Sequence, residues 1–121
     1  MEKQFEFYVA GVQHHGLHTI LQEVQEGDDL LVIPEPTNKY DKNALKIVYE
    51  SLADKTPVMI GYVPGKLSAQ VSASLDACQA FECKVLEFNP DAKPWNQIKV
   101  IIKEYDADDL VEDDDLEDLE A

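Results

Sequence analysis

Hydrophobic and polar positions along the chain predict six short strands. Each is a run of four to nine residues in which apolar side chains alternate with polar ones or follow one another, enriched in β-branched and aromatic types. The predicted strands are residues 5–13, 30–33, 44–49, 58–63, 81–88 and 95–103. Turn residues separate them at intervals that favour a small barrel or sandwich, and the pattern alone does not distinguish a barrel from an open sheet.

The apolar period changes at Lys66, where the one clear helix is predicted. The residues that recur on one face are Leu67, Val71, Leu75 and Cys78, and the first three are expected in the core. This helix is expected to end between residues 76 and 79. Residues 17–24 fit either a second short helix or the second strand of a hairpin. Trp95, at a predicted strand start, is expected to be a packing anchor, with a stacking platform for a base as the alternative.

The charge of the chain divides near residue 104. The 121 residues carry 25 acidic groups, ten lysines and no arginine, a net charge of −15, and eleven of the acidic groups lie in residues 104–121. Residues 1–103 therefore have a net charge of only −4. We expect one domain over residues 1–104 and a disordered acidic tail over residues 105–121, because dense like charge opposes collapse. Without arginine, phosphate contacts would have to come from lysines or backbone amides.

The two cysteines, Cys78 and Cys83, have the spacing of neither a redox motif nor half a zinc site. Two free thiols suit a reducing compartment. The N-terminal residues lack the apolar segment of a signal peptide, and no run approaches the roughly 18 apolar residues that cross a bilayer. The sequence therefore predicts a cytoplasmic protein without membrane contact.

The longest connection between predicted strands, residues 34–44, has the composition of a binding loop. Its two prolines end the preceding strand, and Asn38, Asp41 and Asn43 favour turns. Tyr40 offers a ring on which a nucleic-acid base can stack, and Asp41 offers an acceptor for a hydroxyl group. Alternatively, the polar residues only build the turn, and Tyr40 packs on the sheet.

Three segments of the sequence resemble the HIRAN domain family. The loop sequence Asn38-Lys-Tyr-Asp-Lys-Asn-Ala44 is similar to the Asn-Pro-Tyr-Asp-x-Asn-Ala signature of that family. Val9-Ala-Gly-Val-Gln-His-His-Gly16 resembles its opening strand, and Ile60-Gly-Tyr-Val-Pro64 resembles its strand before a helix. The resemblance covers residues 5–104. It implies a mainly β fold with one or two short helices, a small six-stranded OB-like β-barrel.

The resemblance also implies a function and a site. Family members bind single-stranded DNA, with the tyrosine and aspartate of the loop on the terminal nucleotide and the aspartate on its free 3′ hydroxyl. DNA-binding relatives carry an arginine–aromatic pair where this chain has Gln13 and His14, so the cationic fork is missing here. The candidate nucleic-acid-binding residues are Gln13, His14, Asn38, Tyr40, Asp41, Tyr62 and Lys66.

Lys66 follows a glycine at the start of the predicted helix, where free backbone amides favour an anion and a phosphate could lie beside the lysine. A metal site on His14, His15 and His18 is not expected, because neighbouring strand residues point to opposite faces. The sequence has no catalytic motif, so neither an enzyme nor a cofactor is predicted.

Two functions remain open at this point. The first is a non-enzymatic module that binds the 3′ end of single-stranded DNA and works with a helicase or nuclease supplied by another chain. The second is a protein-interaction adaptor that acts through its acidic C-terminal tail without binding DNA.

Overall fold

The computed structural model describes residues 3–51, 55–78 and 80–105. Within these ranges the chain forms six strands, one α-helix and three short 3-10 helices. The strands and helix are β1 (Lys3–Tyr8), β2 (Leu31–Pro34), β3 (Leu45–Glu50), β4 (Pro57–Tyr62), α1 (Gly65–Ala77), β5 (Ala80–Phe88) and β6 (Ile98–Tyr105). The 3-10 helices are Val12–His14, Gly16–Thr19 and Pro94–Asn96. The predicted acidic tail lies outside the described residues from residue 106 onwards.

The strands form two antiparallel three-stranded sheets, with orders β1-β6-β5 and β2-β3-β4. A single bridge joins the sheets at each pair of edges. Ala10, just after β1, exchanges backbone hydrogen bonds of 2.8 and 2.9 Å with Tyr62 of β4. Asp29, just before β2, bridges to Lys84 of β5. The prediction of a mainly β, six-stranded OB-like fold is confirmed, although the barrel is not closed by continuous ladders.

The core lies between the two sheets and beneath α1. Along β6 the side chains of Ile98, Val100 and Ile102 are buried, as their alternation predicts. From α1, Val71 is fully buried, and Leu67 and Leu75 pack against the core from partly buried positions. Apolar burial of this kind supplies most of the driving force for folding. No helix in the described ranges is long and apolar enough to cross a membrane.

The first predicted strand is too long. The strand β1 ends at Tyr8, and Gly11 adopts a left-handed conformation with φ 75° that turns the chain into the 3-10 helix containing Gln13. Residues 17–24 form neither a full helix nor a hairpin strand, because the 3-10 helix there spans only Gly16–Thr19. In both places apolar side chains are buried although the backbone that carries them is irregular. The apolar pattern of the sequence therefore predicted a regular strand or helix where none forms.

The interpretation of Trp95 as a packing anchor is wrong. Trp95 lies in the 3-10 helix Pro94–Asn96, before β6 begins, and 59% of its surface is exposed. Pro94 favours the first position of a helical turn, so the chain turns once before the strand starts at Ile98. The ring is thereby presented to solvent.

Candidate nucleic-acid interface

The loop between β2 and β3 is held in one conformation by Asn38. Its Oδ1 accepts hydrogen bonds from the backbone amides of Tyr40 at 2.8 Å and Asp41 at 3.0 Å. Its Nδ2 donates to Glu35 Oε1 at 2.8 Å. Asparagine side chains that bond to the following backbone stabilise such turns. The loop is thus fixed on both sides of its turn by one side chain.

Tyr40 lies at the outer end of this loop. Its side chain is 95% exposed, so it does not pack on the sheet. Because Asn38 binds the Tyr40 amide, the ring is displayed from an ordered backbone. An exposed ring on a fixed backbone is suited to stacking with little loss of backbone entropy on binding.

Asp41 connects the loop to α1. Its Oδ1 accepts from the Asn43 amide at 2.8 Å, and its Oδ2 accepts from the Ser68 hydroxyl at 2.5 Å. Ser68 is buried in the first turns of α1, one turn from the beginning of the helix. These hydrogen bonds, chiefly that from Ser68, lower the pKa of Asp41 below its usual range. The carboxylate is therefore an acceptor at neutral pH, on the side of the domain where α1 begins.

Glu35 is a member of this site that the sequence did not single out. Its Oε1 accepts from the Tyr62 hydroxyl at 2.6 Å as well as from Asn38, and its Oε2 lies 4.0 Å from Lys46 Nζ. The hydrogen bonds from Tyr62 and then Asn38 lower the pKa of Glu35, and the bond to Glu35 raises the pKa of Tyr62. Asn38 Nδ2 is also 3.4 Å from the Tyr62 hydroxyl. The loop is therefore anchored to β4 through one carboxylate.

Tyr62 links this anchor to the segment that carries Gln13 and His14. Its backbone bridges to Ala10, and its ring makes an edge contact with His15 at 5.6 Å between centroids. Gln13 and His14 follow in the adjacent 3-10 helix, and both are exposed. Lys66 is exposed in the first turn of α1, two residues before Ser68. Through Tyr62 the fold thus places the loop 34–44 next to the segment that carries Gln13 and His14, and Lys66 follows four residues after Tyr62.

Two further exposed aromatic rings, those of Trp95 and Tyr8, each lie beside a lysine. The 3-10 helix carrying Trp95 contacts the 3-10 helix Val12–His14. Lys93 Nζ lies 5.7 Å from the centroid of the Trp95 ring, and Lys99 Nζ lies 5.7 Å from that of Tyr8. A cation over a ring at this distance is a favourable pairing. The sequence favours packing over stacking for Trp95 and pairs neither ring with a lysine, because neither pairing follows from strand periodicity.

Among the residues described, no group of three or more His, Cys, Asp or Glu side chains is arranged to hold a metal ion. His18 Nδ1 instead lies 3.1 Å from the backbone oxygen of His15.

Comparison with known proteins agrees with this architecture. The HIRAN domain family matches residues 3–104, and the chain belongs to that family. The fold is similar to the crystal structure of the HIRAN domain of human HLTF, with a TM-score of 0.55, 16% identity, and coverage of 93% of this chain and 84% of that one. It is also similar to a protein from Lactobacillus plantarum, with a TM-score of 0.63, 17% identity, and coverage of 87% and 100%. No curated protein sequence matches the chain.

Proposed function

We propose that this protein is a non-enzymatic module that binds single-stranded DNA at a free 3′ end. HIRAN domains are binding modules for single-stranded DNA and its 3′ end, and are not catalytic by themselves. The observation that carries the proposal for this chain is Tyr40, a ring 95% exposed on a loop whose backbone is fixed by side-chain hydrogen bonds. Stacking on such a ring accepts any base.

Asp41 accepts the terminal hydroxyl in this proposal. Each of its oxygens takes one hydrogen bond from the protein, and a carboxylate oxygen has room for a second. An ionised carboxylate attracts a hydroxyl donor and repels a phosphate group. Asp41 therefore favours a 3′ hydroxyl end over a phosphorylated end or a position within the strand.

The backbone of the DNA is held without arginine. Lys66 and the free amides at the start of α1 bind a phosphate near the strand end. Gln13 and His14 supply a hydrogen-bond donor and a ring, and Asn38 and Tyr62 position the loop on which Tyr40 lies.

The strand continues past His14 toward Trp95 in this arrangement. The two aromatic–lysine pairs, Trp95 with Lys93 and Tyr8 with Lys99, supply further rings for bases and ammonium groups for phosphates. Because the protein carries a net negative charge, the positions of these lysines determine where a DNA strand is attracted.

The direct test is the affinity of labelled oligonucleotides measured by fluorescence anisotropy. A single strand with a 3′ hydroxyl should bind more tightly than the same strand with a 3′ phosphate and than a blunt duplex. Tyr40→Ala should weaken binding about tenfold to a hundredfold, the loss expected for one stacked base. Phe81→Ala removes another exposed ring, on β5, and should leave affinity unchanged. Equal affinity of wild type for hydroxyl and phosphate ends would contradict the role of Asp41.

The strong negative charge of the chain favours a second function, a cytoplasmic adaptor that binds a protein partner through its acidic C-terminal residues. The partner would be a basic surface, for instance of a helicase or nuclease in another chain. Failure of all oligonucleotides to bind, together with capture of a purified basic partner that depends on residues 105–121, would favour the adaptor.

A further inference from the structure

A glutamate occupies a core position at the end of β6. Glu104 follows the buried series Ile98, Val100 and Ile102 and is only 5% exposed. Its Oε1 accepts from the Ser74 hydroxyl of α1 at 2.8 Å. Its Oε2 is buried and has no hydrogen-bond partner among the residues that the structure describes. A buried carboxyl oxygen without a hydrogen-bond partner is costly in a folded protein, which indicates that a donor belongs there.

This carboxylate lines a cleft of about 670 Å³. The cleft lies between the beginning of β1, the second half of α1 and the end of β6, and its walls include Phe5, Ala73 and Ala77. Burial, and then the charge of Glu104, raise the pKa of the neighbouring Cys78 thiol. The cleft therefore combines partly apolar walls with one buried carboxyl acceptor, and Lys3, Gln4 and Gln70 also line it.

A ligand that complements these features has an aliphatic stem and a cationic donor at its end. Lys3 is opposite Glu104 in the β1–β6 register, but its side chain is exposed and no ion pair joins the two. The tail beyond residue 105 contains no lysine or arginine. Among the described residues no cationic side chain pairs with Glu104, so a cationic donor from another molecule would complete this site. The net charge of −4 over residues 1–103 also attracts basic partners over longer distances.

We infer that this cleft binds an arginine or lysine side chain of a basic segment in a partner protein, with Glu104 as the acceptor of its charged end. The cleft is a second site, separate from the proposed DNA interface. Lys66 and Ser68 lie at the beginning of α1, whereas the cleft lies along its second half, and 13 helical residues span about 20 Å. One helix would thus connect a DNA-binding end and a protein-binding end.

The test uses the full chain and two capped pentapeptides that differ only at the central residue, arginine in one and citrulline in the other. Citrulline keeps the shape and loses the charge. Wild type should prefer the arginine peptide about tenfold, as expected for a charge-assisted hydrogen bond. Glu104→Gln should abolish this preference, and Glu87→Gln, at an exposed position of β5, should keep it.

Two results of this peptide comparison would overturn the inference. One is equal binding of the two peptides by wild type. The other is an arginine preference that persists in Glu104→Gln, which would place binding on the acidic tail. Ala73→Phe provides an independent check, because Ala73 is exposed and lines the cleft, so a larger side chain fills the cleft without touching the fold of the core. Unchanged arginine-peptide affinity in Ala73→Phe would also overturn it.

Discussion

At the scale of single residues, the hydrogen bond from Ser68 to Asp41 determines how the proposed hydroxyl acceptor titrates. This bond is the main cause of the lowered pKa of Asp41. Removing the hydroxyl in Ser68→Ala should raise the Asp41 pKa toward the usual value of about 3.9. Carbon-13 chemical shifts of the Asp41 carboxyl group, followed through an acid titration, measure the change.

The same bond has a pH-dependent effect on stability with a definite sign. Because the pKa of Asp41 is lower in the folded chain than in the unfolded chain, its stabilising contribution is complete above about pH 4 and is lost as the pH falls through the folded pKa. Ser68→Ala should therefore make the free energy of unfolding depend less on pH in the acidic range. Ser72→Ala, one turn further along α1, is the matched control and should titrate as wild type does.

At the scale of elements, the loop 34–44 depends on Asn38 more than on its other turn residues. Asn38→Ala breaks two bonds to the loop backbone and the bonds to Glu35 and Tyr62. We expect it to lower the free energy of unfolding by about 1–3 kcal/mol, as for loss of a partly buried hydrogen-bonded network. Urea denaturation followed by circular dichroism measures the loss.

Asn89 is a matched control for Asn38. It makes the same kind of local bond, from the Asp91 amide to its Oδ1 at 3.0 Å, in the exposed loop between β5 and β6. Asn89→Ala should therefore destabilise the protein less than Asn38→Ala. Equal losses in the two variants would mean that the bonds from Asn38 to Glu35 and Tyr62 contribute nothing.

The elements also show where sequence reasoning succeeds and where it stops. Strands with strict alternation, such as β6, and the helix α1 were predicted to within a few residues, because one buried face imposes a period. The segment after Tyr8 was mistaken for strand, since its apolar residues are buried without a regular period. The partner of Glu35 was not predictable for a different reason: Tyr62 is 27 residues away, and the registers of β2 with β3 and of β3 with β4 together bring the two residues into contact.

At the scale of the whole molecule, the Ala10–Tyr62 bridge, which joins the edges of the two sheets, holds the proposed DNA interface together. Gly61, next to the bridging residue Tyr62, has φ 154°, and a Cβ there would collide with the Ala10 carbonyl oxygen and the Val9 side chain. Gly61→Ala should therefore destabilise the protein by more than about 1 kcal/mol. Thermal unfolding compares it with Gly65→Ala, where a Cβ meets nothing within 4 Å and little change is expected. A Gly61→Ala protein as stable as Gly65→Ala would show that separating the Ala10–Tyr62 bridge does not destabilise the protein.

The charge distribution of the whole chain leads to the final prediction. Residues 106–121 contain ten acidic groups and no basic one, whereas all ten lysines precede them. If single-stranded DNA binds near Lys66, Lys93 and Lys99, these acidic groups repel it or compete with it at low ionic strength. Salt screens this effect over about 10 Å at 0.1 M. A chain ending at residue 105 should bind a 3′ hydroxyl oligonucleotide more tightly than the full chain in low salt, and the difference should shrink as salt is added. A chain of full length, with the ten acidic residues replaced by asparagine and glutamine, separates charge from length and should bind as the shortened chain does. If it binds as weakly as wild type, the tail acts through its bulk, and its charge has no part in DNA binding.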